Sequence, residues 1–160
     1  MRVLRALAAA AVVCVTTAPS AHAWVDPTTG APSARHVTKS AEIPRQNWLP
    51  GHRGVDLGME PGAEVRSSGP GVVAFAGTVA GVPAVSIDHP GGIRTTYQPV
   101  HPRVETGTIV EEGQVIGMLG HSPEHDGLHW GARTGPDSYI NPLTLLAAPT
   151  IRLKPVGAAR

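Results

Sequence analysis

The chain has 160 residues, a formal net charge of +1, 41% hydrophobic residues and 16% charged ones. That apolar content excludes a disordered chain, and the absence of any basic block removes the electrostatic footprint of a nucleic-acid binder. One cysteine, Cys14, excludes a disulfide framework.

The N-terminus sets the compartment. Arg2 and Arg5 form a short basic start, Ala6 to Val15 form an apolar run, and Ala21-His22-Ala23 is a small-x-small cleavage pattern. This order predicts a signal peptide over residues 1–23, and hence a secreted or cell-envelope protein. The apolar run is about half the roughly 20 residues that span a bilayer, so no stable membrane span is expected after cleavage. Without Arg2 and Arg5 the net charge moves to about −1, which gives little drive toward an anionic surface. The scarcity of lysine (Lys39 and Lys154) beside abundant Arg, Ala, Gly and Pro suggests a GC-rich bacterial source.

Residues 24–50 carry Pro27, Gly30, Pro32 and Pro44 without sustained periodicity. They read as an extended lead-in, with Ile43, Trp48 and Leu49 available to pack. Residues 51–146 read as one mainly β domain of short strands, since turn signals and apolar runs alternate every eight to twelve residues. Strands are predicted at Val72–Ala76, Ala84–Ile87 and Ile93–Tyr97, an antiparallel meander with a turn at Pro90-Gly91-Gly92. Further apolar runs follow at Val104, Ile109-Val110 and Val115–Leu119, and a last strand is expected from Leu128 to Arg133. Asn141-Pro142-Leu143 opens one short helical turn ending near Leu146, with proline at a first helical position. Residues 147–160 read as a tail. The Val65–Val73 and Val110–Gly117 segments share a glycine-punctuated hammerhead pattern also found in lipoyl carrier domains, but neither lysine lies at a hairpin tip to carry a cofactor.

Seven histidines follow residue 23. His36 and His89 have nothing metal-like around them and read as ordinary structural or exposed residues. His52 and Asp56 lie in Gly51-His52-Arg53-Gly54-Val55-Asp56-Leu57. Four residues of straight strand span about 13 Å, too far to share one ion, so the pair needs a bend that Gly54 would permit. His129, in Gly127-Leu128-His129-Trp130, would add a second imidazole. Two imidazoles and a carboxylate suit zinc, and three protein ligands leave a fourth position open, as in catalytic sites.

These motifs, with Gly113-Gln114-Val115-Ile116-Gly117, resemble the M23 (lysostaphin and LytM-like) peptidoglycan endopeptidases over about Gly51 to Leu146. The resemblance implies their antiparallel β-sheet core, a Zn2+ ion on His52, Asp56 and His129, and peptidoglycan as the substrate of a zinc-activated water. The chain departs from the family at two expected active-site histidines, where Gly127 and Pro99 stand. If 127 and 129 share one strand face, Gly127 leaves the place of a base empty. His125, His101 and His121 are candidate surrogate bases, and histidine at 127 and 99 is expected to restore what is missing. The alternative is a catalytically degenerate domain that binds peptidoglycan or regulates another wall hydrolase, such as an amidase.

Overall fold

The computed structural model describes residues 24–147; the expected signal peptide and almost all of the tail, with Lys154, lie outside them. Eleven strands follow in chain order: β1 (Val37–Lys39), β2 (Gly54–Leu57), β3 (Glu64–Arg66), β4 (Gly71–Val79), β5 (Val82–His89), β6 (Ile93–Gln98), β7 (Val100–Pro102), β8 (Ile109–Val110), β9 (Val115–Leu119), β10 (Leu128–Gly135) and β11 (Ser138–Ile140). A single 3-10 turn, Pro142–Leu145, is capped by the Asn141 side chain, which accepts from the Leu143 N–H. Among the described residues no helix is long and apolar enough to cross a membrane.

The strands make two antiparallel sheets. The larger runs β1-β2-β10-β6-β5-β4-β8, with β11 paired to β10; the smaller runs β3-β9-β7. Strands β4, β5 and β6 form the expected meander, each slightly longer than its apolar run. The hammerhead segments meet in space: β3 pairs with β9, and the Ser67 and Gly113–Gln114 turns exchange two backbone hydrogen bonds of 2.8 Å. Val104 lies outside any strand, and Val100–Pro102 pairs with β9 instead.

Alternation decides what faces inward. Val55 and Leu57 of β2, Leu128 and Trp130 of β10, and Tyr97 of β6 are buried, and with Val65, Val100 and Ile116 of the smaller sheet they form one core. Trp130 and Tyr97 are its largest fully buried side chains. Truncating Trp130 to alanine should cost about 3–5 kcal/mol.

The lead-in is anchored differently from expectation. Trp48 is 79% exposed and Leu49 is also exposed, whereas Val25 and Asp26 near the first described residue are buried. The Val25 N–H donates to Ser68 O at 2.8 Å, the Trp24 ring sits 4.7 Å from that of His89, and Asp26 accepts from the Thr28 N–H and hydroxyl. The apolar side chains that dock are those next to the β3–β4 turn. Further along, Val37–Lys39 adds the edge strand β1 to β2, so Lys39 lies on a strand and not at a hairpin tip.

The open face of the larger sheet carries the residues not used in the core. On β10 these are His129, Gly131 and Arg133, opposite Gln98, Thr96 and Arg94 of β6.

Candidate metal centre

The centre is built on the pairing of β2 with β10, which sets Asp56 directly opposite His129. Side chains so placed have Cβ atoms about 5 Å apart on one face. His52 arrives from just before β2, where a single bridge to Glu42 holds its backbone, and the chain bends at Arg53 before the strand begins. The bend closes the His-x3-Asp pair: His52 Nε2 lies 3.0 Å from Asp56 Oδ1. Gly54 matters here for space and not for a turn. A Cβ there would meet Trp130 O at 2.5 Å and the His129 ring at 2.8 Å, so any side chain would displace the imidazole.

Three donor atoms converge. His129 Nδ1 is 2.8 Å from Asp56 Oδ1 and 3.1 Å from His52 Nε2. The fourth is His125 in the loop before β10, whose Nδ1 is 3.1 Å from Asp56 Oδ1 and 3.2 Å from Oδ2. The ligand atoms of His52, Asp56, His125 and His129 all lie within 4.8 Å of one another. Its ring stacks on that of His129 with centroids 4.4 Å apart.

The donor chemistry tests whether a cation fits. His52 Nδ1 sits 2.7 Å from the Ser40 carbonyl oxygen, which can only accept, so Nδ1 carries the proton and the neutral ring offers a bare lone pair at Nε2. That lone pair and His129 Nδ1 face each other across 3.1 Å around one carboxylate oxygen. Ligand bonds of about 2.0–2.1 Å in a tetrahedral zinc site put donor atoms about 3.3 Å apart, close to these separations. The residues present fit a divalent metal, with Ser40 O orienting one of them.

Electrostatics agree. Burial tends to raise the Asp56 carboxyl, but hydrogen bonds from His129 and His125 and their charge outweigh it and hold Asp56 below the usual carboxylate range. Burial pushes the His129 imidazole below its ordinary value despite its hydrogen bond to Asp56. At neutral pH the site thus offers an anion and a neutral imidazole, the forms that bind metal.

The surrogate-base candidates separate. His125 enters the donor group. His121 lines an adjoining cleft of about 230 Å³ with Met59, Leu119 and Asp126, also bordered by His125. His101 lies on β7 with its ring beside Gly120, outside the donor group. His36 is exposed, and His89 is a buried residue of a separate hydrogen-bonded chain.

Gly127 differs from expectation. It precedes β10, so it does not share a strand face with His129, and its φ is +96°. A Cβ there would meet Leu57 O at 2.1 Å and Met59 N at 2.8 Å. The position cannot accept histidine without moving the backbone, because both obstacles are main-chain atoms. The loop instead supplies His125 from two residues earlier. The His125-x3-His129 spacing was visible in the sequence, but Pro123 and Gly127 exclude the helix on which such spacing is normally read.

Comparison with known proteins places this geometry. The model of the family described as Peptidase family M23 matches residues 50–142. An uncharacterised protein of Mycobacterium tuberculosis is 46% identical over 131 residues, covering 76% of this chain and 52% of that protein. The DD-carboxypeptidase/endopeptidase Mpg of Neisseria meningitidis serogroup B is 34% identical over 105 residues, 64% of this chain and 24% of Mpg. This chain therefore spans about half the length of its mycobacterial relative, and its match with Mpg takes in a smaller share still. The catalytic domain of the prophage-encoded M23 protein EnpA of Enterococcus faecalis superposes with a TM-score of 0.58 at 20% identity, over 69% of this chain and 94% of that one. With its antiparallel fold, its His-Asp-His cluster and a family match over more than half its length, this chain belongs to peptidase family M23.

Proposed function

We propose that the protein is an exported, zinc-dependent endopeptidase of peptidoglycan peptides. The observation that carries the reading is the convergence of His52 Nε2, Asp56 Oδ1 and His129 Nδ1 within 3.1 Å of one another, with His125 beside them. Zinc held there supplies Lewis acidity toward a peptide carbonyl and acidifies water. The chain's own residues do the rest. Ser40 O fixes the His52 tautomer, and Asp56, ionised and buried, holds the two imidazoles in register. His125 stands where a proton must be handled. Its Nδ1 lies against Asp56 Oδ2, leaving Nε2 to take the proton that water gives up as the C–O bond forms. The same nitrogen returns it to the amine as the C–N bond breaks.

Export rests on the basic, apolar and small-residue order of residues 1–23. The test is digestion of purified sacculi by zinc-loaded protein, with new amines as the readout and His129→Ala as the control. Intact sacculi after long incubation would overturn hydrolysis.

Gly127 and Pro99 favour a second reading, a degenerate domain that binds peptidoglycan or acts on a partner hydrolase such as an amidase. It predicts sacculus binding without amine release, and stimulation of a separate amidase.

A further inference from the structure

The open face of the larger sheet continues past the metal centre as a groove. It is lined by Arg53, Arg94, Thr96, Gln98, Gly131 and Arg133, beside His129 and Tyr139, and encloses about 230 Å³. Its floor follows from strand register. His129 pairs with Gln98, Gly131 with Thr96, and Arg133 with Arg94, so these residues form successive rungs on one face. Leu128, Trp130 and Ala132 between them are buried in the core. Gly131 has no side chain to fill the middle rung. From His129 to Arg133 the strand advances about 13 Å, the length of about four extended residues.

The charge along this floor is one-sided. Arg133 stands directly opposite Arg94, a like-charge pair that costs stability in an antiparallel sheet. Asp88 of β5 compensates for one of them: its oxygens accept from Arg94 Nε at 2.5 Å and Nη2 at 2.6 Å. Among the described residues no carboxylate lies within ion-pair distance of Arg133 or Arg53. Arg53 is held in place without one. It donates to Leu49 O at 3.0 Å and to Asn47 O, and lies 5.8 Å from the centre of the Tyr139 ring. Two positioned guanidinium groups with no counter-ion in a trough beside a peptidase centre are built to receive an anion.

We propose that this groove is a specificity subsite for a side-chain carboxylate of the peptide substrate, with Arg133 as its main contact and Arg53 and Arg94 as its walls. The carboxylate sits within about four residues of the bond placed over the metal centre. The proposal rests on the peptidase reading for its ligand class, but its test is binding and does not depend on turnover.

The probes are fluorescein-labelled Ala-Ala-Glu-Ala-Ala amide and the same peptide with Gln for Glu, titrated against the full chain by fluorescence polarisation. The Glu peptide should bind about tenfold more tightly at low salt. Arg133→Gln should bring the ratio close to one. Asp88→Asn, which frees Arg94, should raise it. The preference should persist with a chelator present, because arginines and not the metal supply it. Equal affinities, no binding of either peptide, a ratio untouched by Arg133→Gln, or a preference that disappears with the chelator would each overturn the subsite. A protein that leaves sacculi intact yet keeps the Arg133-dependent preference loses the hydrolase reading alone.

Discussion

The two halves of the metal centre are made in different ways. Asp56 and His129 sit on neighbouring central strands, fixed opposite each other by the β2–β10 ladder, with core residues on either side in sequence. His125 comes from the 120–127 loop, whose position depends on Gly127 at φ +96° and on the Thr38 hydroxyl donating to Asp126 O at 3.0 Å. Strand register makes the first half rigid, whereas a few backbone contacts hold the second. Metal retention should therefore belong to the strand half and proton handling to the loop half. Removing a donor from the strands gives the largest effect expected: Asp56→Ala should weaken metal affinity on the order of 100-fold or more. Metal content after dialysis, read beside circular dichroism, checks it. A variant that keeps a full equivalent of metal would break the division.

The loop half predicts the converse. His125→Ala should retain the metal while sacculus digestion falls about 10²–10⁴-fold, the usual worth of a general acid–base. His121→Ala, on the cleft wall outside the donor group, should change the rate far less. Equal metal loss in His125→Ala and Asp56→Ala would make His125 a fourth ligand and the strand–loop contrast false.

Gly127→His sharpens the same contrast through stability. The added Cβ meets Leu57 O and Met59 N in a left-handed conformation. The variant should lose about 2–3 kcal/mol in urea unfolding and gain no activity, alone or with Pro99→His. Restored or increased digestion in the double variant would show that the loop rearranges and that the missing base explains low activity.

The sheet half of this site was legible in the sequence and the loop half was not. Breaker spacing and short Val/Ile runs found the β4–β5–β6 meander, β8, β9 and β10, because alternation and turns are local signals. Strands β1, β3, β7 and β11 have only three residues each, too few to show alternation, and exist through their partners. His52, Asp56 and His129 stood out as residue types at suggestive spacing. Their convergence depends on register across β2 and β10, and on a bend whose glycine is required by the His129 ring. Gly127 was misread because its φ and its contact with Leu57 O are consequences of tertiary structure. His125 could not be separated from His121 and His101, since only loop geometry distinguishes three histidines flanked by Gly and Pro.

The smallest expected effect lies away from the centre and contrasts a structural histidine with the site histidines. His89 Nδ1 is 2.8 Å from Pro70 O, so this nitrogen carries a proton, and Nε2 must accept from Thr95 Oγ1 at 2.7 Å when the ring is neutral. Thr95 then accepts from Tyr97, whose oxygen receives the Ser68 N–H, both at 2.9 Å. Burial lowers the His89 pKa from its ordinary 6.5, with the Pro70 bond and Asp88 only partly opposing. The folded protein thus resists a proton that the unfolded chain accepts. Stability from this term is complete above pH 6.5 and declines as pH falls below 6.5 toward the depressed folded value. The Asp56 contribution has the same sign but is lost only at lower pH, from its ordinary 3.8 downward. His129, also depressed, shares the upper window in metal-free protein. Urea unfolding of metal-free protein and of His89→Gln, compared between pH 7.5 and 5, should therefore show a shallower acid decline in the variant, with the remainder belonging to the metal centre. Parallel declines would mean that His89 is protonated as readily in the fold as out of it, and that Trp24 and the β3–β4 turn open to admit water.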